Sequence, residues 1–278
     1  PHLLVMTATP IPRSLALTLY GDLDISVMDE MPAGRIPINT FVLRPQERER
    51  AFTLLRGQIK DDKQAFIIYP LIEESEKIEA RAAVDDYETL SKEVFPDLKL
   101  GLLHGKMRPA EKDETMLKFR DKQYNILVST TVVEVGVDVP NATVMVIEGA
   151  DRFGLAQLHQ LRGRVGRGAD QSYCLLIPTR EDATENERLQ IMAESNDGFV
   201  LAEKDLQIRG PGEFLGTRQA GFASSLRMAS ITDVKLIEKA RVQAQSVFEK
   251  DADLSQPEHK LLAESLGRFW GEGKGDVS

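Results

Sequence analysis

Three arginines, Arg162, Arg164 and Arg167, stand around Gly163 and Gly166 at the end of a helical pattern in Gln157-Leu-His-Gln-Leu-Arg-Gly-Arg-Val-Gly-Arg167. A guanidinium stays charged and its planar fork meets two phosphate oxygens at once, so the chemistry on offer is anion binding. The glycines let the backbone turn and come close to a ligand. Three such cations repel one another unless an anion or a set of carboxylates stands between them. A helix C-terminus also favours cations on dipole grounds alone. Taken by themselves, the residues fit a phosphate site or a solvated basic helix end. They do not fit a dinucleotide fingerprint, because the glycine spacing differs and the segment follows a helical pattern rather than a strand.

Three other segments set polar residues behind apolar runs. Thr7-Ala-Thr-Pro-Ile-Pro12 follows the run ending at Met6. The hydroxyls of Thr7 and Thr9 can relay hydrogen bonds, or cap a helix that the prolines begin. His104-Gly-Lys-Met107 follows Leu100–Leu103, where backbone amides and Lys106 can meet a phosphate, and a simple loop fits equally well. Ser129–Pro140 follows Ile126–Val128 and carries Thr130, Thr131, Gly136 and Asp138. Its hydroxyls suit phosphate oxygens and Asp138 can accept from a ribose hydroxyl. A strand end with an irregular turn at Gly136 and Pro140 is the plainer alternative.

The elements that must position these groups read as alternating strands and helices. Strands are expected at Leu3–Thr7, Thr40–Leu43, Ala65–Tyr69, Leu100–Leu103, Ile126–Ser129, Val144–Ile147 and Tyr173–Ile177. Helices are expected over Pro45–Lys60, Glu79–Val94, Pro109–Arg120 and Leu155–Leu161, with Pro45 and Pro109 at the first position, where proline is tolerated. Runs such as Ala65-Phe-Ile-Ile-Tyr69 lack polar alternation, as strands buried on both faces do. The pattern is that of an α/β domain with a parallel sheet, whose ligands collect at the carboxyl ends of the strands. Beyond Glu181 the pattern turns helical. Ala183–Ser195 and Phe199–Ile208 form a hairpin, followed by a glycine-rich loop, Gly210–Gly221, two more helices over Thr232–Lys250 and Pro257–Trp270, and a glycine-rich tail.

Composition narrows the classes further. The chain has 278 residues, a net charge of −9, one cysteine and four histidines. That charge disfavours a general lysine-coated nucleic-acid binder and leaves only local contacts by a few placed cations. No run approaches a membrane span. A lone Cys174 in an apolar run is expected as a buried small hydrophobe, and no Cys/His grouping suggests zinc. One cysteine fits a reducing cytoplasm. Opening at Pro1 inside a strand pattern, without an initiator methionine, is the expectation for an excised piece.

In this order and spacing the segments resemble the second half of a superfamily 2 helicase motor. Thr7-Ala-Thr-Pro10 looks like motif III, Ser129–Pro140 with Asn141-Ala142 like motif V, and Gln157–Arg167 like motif VI. Ala8–Leu23 narrows the resemblance to the branch of the RecG and Mfd translocases. Leu17-Thr-Leu-Tyr-Gly-Asp-Leu23, Leu201–Gln219 and Pro257-Glu-His-Lys-Leu-Leu262 look like the RecG family in particular. The resemblance implies a RecA-like parallel sheet flanked by helices, of the P-loop NTPase type, followed by the hairpin, a loop and C-terminal helices. It implies three segments: residues 1–31 as the end of a first RecA-like domain, 32–180 as the second, and 181–278 as hairpin, coupling loop and helices.

The resemblance also assigns roles. Arg164 and Arg167 take the arginine-finger positions, Gln160 reaches toward the nucleotide and the facing domain, and Gly136 and Asp138 lie near the nucleotide. His104, Gly105, Lys106, Thr130 and Thr131 face DNA, and Arg218, in the glycine-rich loop, is placed by its own charge to touch phosphate. Thr7, Thr9, Arg188, Arg209 and Gln219 couple motor closure to movement on the duplex. No residue is assigned to a metal.

ATP and Mg²⁺ are the cofactors implied for the whole enzyme, and none is expected on this piece. It carries no G-x-x-x-x-G-K-[ST] loop and no strand ending in an Asp-Glu pair. By itself it is therefore expected to be inactive. The implied partners are branched double-stranded DNA, forks and Holliday junctions, and a single-stranded DNA-binding protein, with no membrane. A second copy could pair through the strand at the amino end. The setting is a bacterial cytoplasm, at the nucleoid. The alternatives are the corresponding part of an Mfd-type translocase and a non-catalytic RecA-like binding module. The two arginines would be idle in the latter.

Overall fold

Apolar runs without polar alternation become one parallel sheet. The structure is a computed structural model that describes residues 34–70, 84–130, 138–209 and 234–269, together with the isolated positions 4, 26 and 28. The elements of the α/β part follow in the order β1 (Asn39–Val42), α1 (Arg48–Lys60), β2 (Gln64–Ile68), β3 (Leu100–Leu103), α2 (Pro109–Arg120), β4 (Ile126–Ser129), β5 (Ala142–Glu148), α3 (Leu155–Arg162) and β6 (Tyr173–Ile177). Then come the helices α4 (Glu187–Glu194), α5 (Gly198–Arg209), α6 (Val234–Lys250) and α7 (Lys260–Phe269). The strands lie in the order β1-β6-β5-β2-β4-β3 and every pairing is parallel. Parallel neighbours need long crossovers, and helices supply them here.

Side chains alternate between two cores, one on each face of the sheet. Phe66, Ile68, Leu127, Met145, Ile147 and Leu176 point to one face. There they meet Met116 and Phe119 of α2, Leu155, Leu158 and Leu161 of α3, and Leu189 and Met192 of α4. Ala65, Ile67, Ile126, Val128, Val144 and Val146 point to the other, against Ala51, Phe52 and Leu55 of α1 and Leu90 and Phe95. Phe119 is fully buried and its ring meets Phe66 edge-on, with centroids 4.9 Å apart. β2, β4 and β5 are buried at every position, which explains why their sequences show no polar alternation. Cys174 is buried and free, and burial pushes its thiol up to about 12.

The helices begin and end for local reasons. Pro109 opens α2 and Glu111 accepts from the Arg108 N–H at 2.9 Å, half of a capping box. Asn186 Oδ1 accepts from the Arg188 N–H at 3.0 Å and caps α4. Two expected helices start differently. Residues 45–47 form a 3₁₀ turn ahead of α1, and residues 181–185 another ahead of α4. The expected helix ending at Val94 closes in a π-helical turn, Leu90–Val94. The described residues divide into two compact units, one ending at Leu201 and the other running from Ala202. In the second unit α6 and α7 are joined by a turn knotted on Asp251. Its carboxylate accepts from Ser255 N–H at 2.9 Å and Gln256 N–H at 3.0 Å, and contacts His259 Nδ1 at 2.8 Å. Apart from Leu4, the expected Leu3–Thr7 strand lies outside the described residues, as does the Gly210–Gly221 loop.

Candidate phosphate-binding site

The arginine segment follows α3, whose apolar face carries Leu155, Leu158 and Leu161. Past the helix end, Gly163 keeps helical dihedrals, and the chain then turns through Gly166 at φ +73°. A methyl added at Gly166 would lie 2.8 Å from Ile38 Cγ1, and one at Gly168 only 2.6 Å from the Pro140 carbonyl oxygen. Both positions therefore require glycine, and the second presses the arginine segment onto the chain that enters β5.

That approach brings two expected site residues together. Arg167 Nη1 donates to Asp138 Oδ1 at 3.1 Å and its Nε donates to the Gly163 carbonyl at 3.0 Å. Repulsion among these cations calls for an anion or carboxylates between them. A carboxylate does relieve it, and Arg167 is held at two points. The pair is partly open to solvent, 32% exposed on the arginine and 56% on the aspartate. Pairs this exposed contribute at most about 1 kcal/mol, so an arriving phosphate can displace Asp138. Arg164 and Gln160 are half-buried.

Arg162 does not belong to this group. It is 2% exposed and points into the protein, where Nη1 donates to the carbonyls of Met192 and Ser195, both at 2.8 Å, and to Thr40 Oγ1 at 3.4 Å. Burial, followed by the Arg35 charge, pushes its guanidinium below the ordinary arginine value. Burial and the charges of Arg162 and Arg35 also lower His159, to about 4, so this histidine is neutral at pH 7. Spacing held the signal for Arg162: it lies four residues after Leu158 and seven after Leu155, on the apolar face of α3.

A second group gathers at the carboxyl ends of β3 and β4. Thr130 N–H donates to the Leu103 carbonyl at 3.2 Å, which sets Thr130 next to the loop that begins at His104. Thr130 is 3% exposed, whereas Gly105 and Lys106 are exposed. Lys112 Nζ donates to the Gly105 carbonyl at 2.8 Å and pins the loop from α2. Burial, then Lys112 and Lys106, lowers the His104 pKa against the opposing pull of Glu111. The loop is cationic through its lysines rather than its histidine.

Sequence reading missed a third group. Arg48 makes a two-point pair with Glu148, at 2.8 and 2.9 Å, and Glu148 is 5% exposed at the end of β5. Burial first and Glu148 second push both Asp86 and Tyr69 upward. Arg188 is half-buried near the start of α4 and Arg209 is the last residue of α5. Gly136, Thr131, Thr7, Thr9, Arg218 and Gln219 lie outside the described residues.

Comparison with known proteins bears on this arrangement. Residues 47–169 match the family described as helicase conserved C-terminal domain, and residues 195–270 match ATP-dependent DNA helicase RecG, domain 3, C-terminal. The ATP-dependent DNA helicase RecG of a Synechocystis species is 52% identical over 94% of this chain and 32% of its own length. That of Bacillus subtilis is 49% identical over 96% of this chain and 39% of its own, and that of Escherichia coli K12 50% over 90% and 36%. The chain thus spans between 32% and 39% of the length of these curated relatives. A solved structure of RecG bound to a three-way DNA junction is 49% identical and covers 84% of this chain and 30% of that one, with a TM-score of 0.66.

Proposed function

Since the chain belongs to the family of the ATP-dependent DNA helicase RecG, we propose that it forms the second RecA-like motor domain and the coupling region of an ATP-dependent translocase on double-stranded DNA. The whole enzyme regresses stalled replication forks and branch-migrates Holliday junctions in DNA repair and recombination. Its setting is the nucleoid in a bacterial cytoplasm. The observation that carries this reading is the contact between Arg167 and Asp138. It joins a motif VI arginine to a motif V carboxylate through a bond weak enough to be exchanged for a nucleotide phosphate.

In this reading Arg164 and Arg167 stabilise the charge that develops on the transferred phosphoryl group of ATP, a role worth roughly 10³–10⁵ in turnover in related hydrolases. Released from Arg167, Asp138 turns to the ribose, beside Gly136. Gln160 faces the nucleotide and the opposing domain. His104, Gly105, Lys106, Thr130, Thr131 and Arg218 follow the DNA backbone. Exposed Lys106 and the Lys112 that holds Gly105 support this role, because phosphate contacts supply affinity without reading sequence. Thr7, Thr9, Arg188, Arg209 and Gln219 couple closure to movement. Branched DNA as the substrate is supported by the RecG relative solved with a three-way junction. In this reading Mg²⁺ accompanies ATP in the whole enzyme.

Arg167→Ala tests the reading in a helicase carrying both motor halves. DNA-stimulated ATP turnover should fall at least about a hundredfold while ATP binding stays within a few fold. Retained turnover would overturn the assignment.

A further inference from the structure

Arg162 has a job that phosphate chemistry does not explain. A buried guanidinium ordinarily finds a carboxylate, yet the recorded partners of Arg162 are neutral oxygens: the carbonyls of Met192 and Ser195 and the Thr40 hydroxyl. The two carbonyls belong to the end of α4. The last carbonyls of a helix lack partners within it and carry the negative end of its dipole. Ser195 N–H occupies the Ile191 carbonyl, and Arg162 takes those of Met192 and Ser195. Charge and helix end thus satisfy each other inside the core, and separating them would leave a buried cation and buried acceptors unpaired.

The hairpin turn beyond is held by local hydrogen bonds. Ser195 Oγ accepts from Asp197 N–H at 3.1 Å, and Asp197 Oδ1 accepts from Phe199 N–H at 2.8 Å at the start of α5. On its other side Arg162 adjoins Gly163, whose carbonyl holds the Nε of Arg167. One buried side chain therefore stands between the finger segment and the hairpin turn. We propose that Arg162 is a positioning residue that transmits movement of the Arg164–Arg167 segment to α4 and the turn after it, and so sets how much DNA movement each ATP produces. This rests on the motor reading above.

The test compares ATP turnover with junction unwinding in a helicase carrying both motor halves. Arg162→Met leaves the carbonyls of Met192 and Ser195 unpaired. It should keep DNA-stimulated turnover within about threefold and lower unwinding at least about tenfold. In Arg162→Lys one nitrogen again offers three donors, and part of the unwinding should return. Loss of turnover and unwinding by the same factor, or unwinding at the wild-type rate, would overturn the proposal. Hydrogen exchange on the wild-type protein needs no substitution. On binding a non-hydrolysable ATP analogue with a DNA junction, amides 163–165 and 195–199 should change protection together, and a change in the first set alone would contradict the link. A wild-type enzyme without ATP turnover on branched DNA would instead sink the motor reading itself.

Discussion

Arg167 divides its hydrogen bonds between Asp138 and the carbonyl of Gly163, and Gly168 makes that division possible. With the Pro140 carbonyl oxygen only 2.6 Å from where a Cβ would stand, Gly168→Ala must push one backbone away from the other. We expect a loss of about 1–3 kcal/mol in stability, read as a lower urea midpoint of the chain. An unchanged midpoint would mean that the close approach is not maintained in solution. The residues of the site were legible to different degrees. Glycines among arginines fitted a phosphate site or a basic helix end, and Asp138 was singled out by its motif. That Asp138 would face Arg167 was not legible, because the contact joins residues far apart in the chain. Arg162 was grouped with its neighbours because adjacency in sequence hides the 100° turn between successive helical side chains. Its i−4 and i−7 leucines placed it in the core instead.

Among the elements, the strands were the most readable. The six described strands fall within a residue or two of the apolar runs that suggested them, since a strand buried on both faces carries few polar residues along its length. Helix starts were less readable. The 3₁₀ turns before α1 and α4 and the π turn at Leu90–Val94 depend on local hydrogen bonding that composition does not reveal. The turn between α6 and α7 was read only as a gap between helices, yet it is organised by one carboxylate. Hydrogen bonds from His259, Ser255 and Gln256 hold Asp251 at about 2, below its ordinary 3.8. A depressed folded value means that the stabilisation is complete above the unfolded value and disappears as pH falls through the folded one. The Ser255 and Gln256 amide resonances should therefore keep their neutral-pH positions down to about pH 4 and titrate near 2. Asp251→Asn should lower amide protection across residues 255–259 at pH 7. Titration of those amides near 3.8 would contradict the knot.

At the scale of the whole molecule, a net charge of −9 makes the cations informative. Lys106 and Lys112 gather at one loop and Arg164 and Arg167 follow one helix, so on our reading phosphate contacts are local rather than spread over the surface. The sequence has no G-x-x-x-x-G-K-[ST] spacing. On our reading the arginine fingers are therefore half of a site that a first motor domain completes. The most direct test measures ATP hydrolysis on branched DNA by the chain alone and by the chain joined to a first RecA-like domain. The account predicts no turnover above background for the chain alone and DNA-stimulated turnover for the joined form. DNA-stimulated hydrolysis by the chain alone would contradict it.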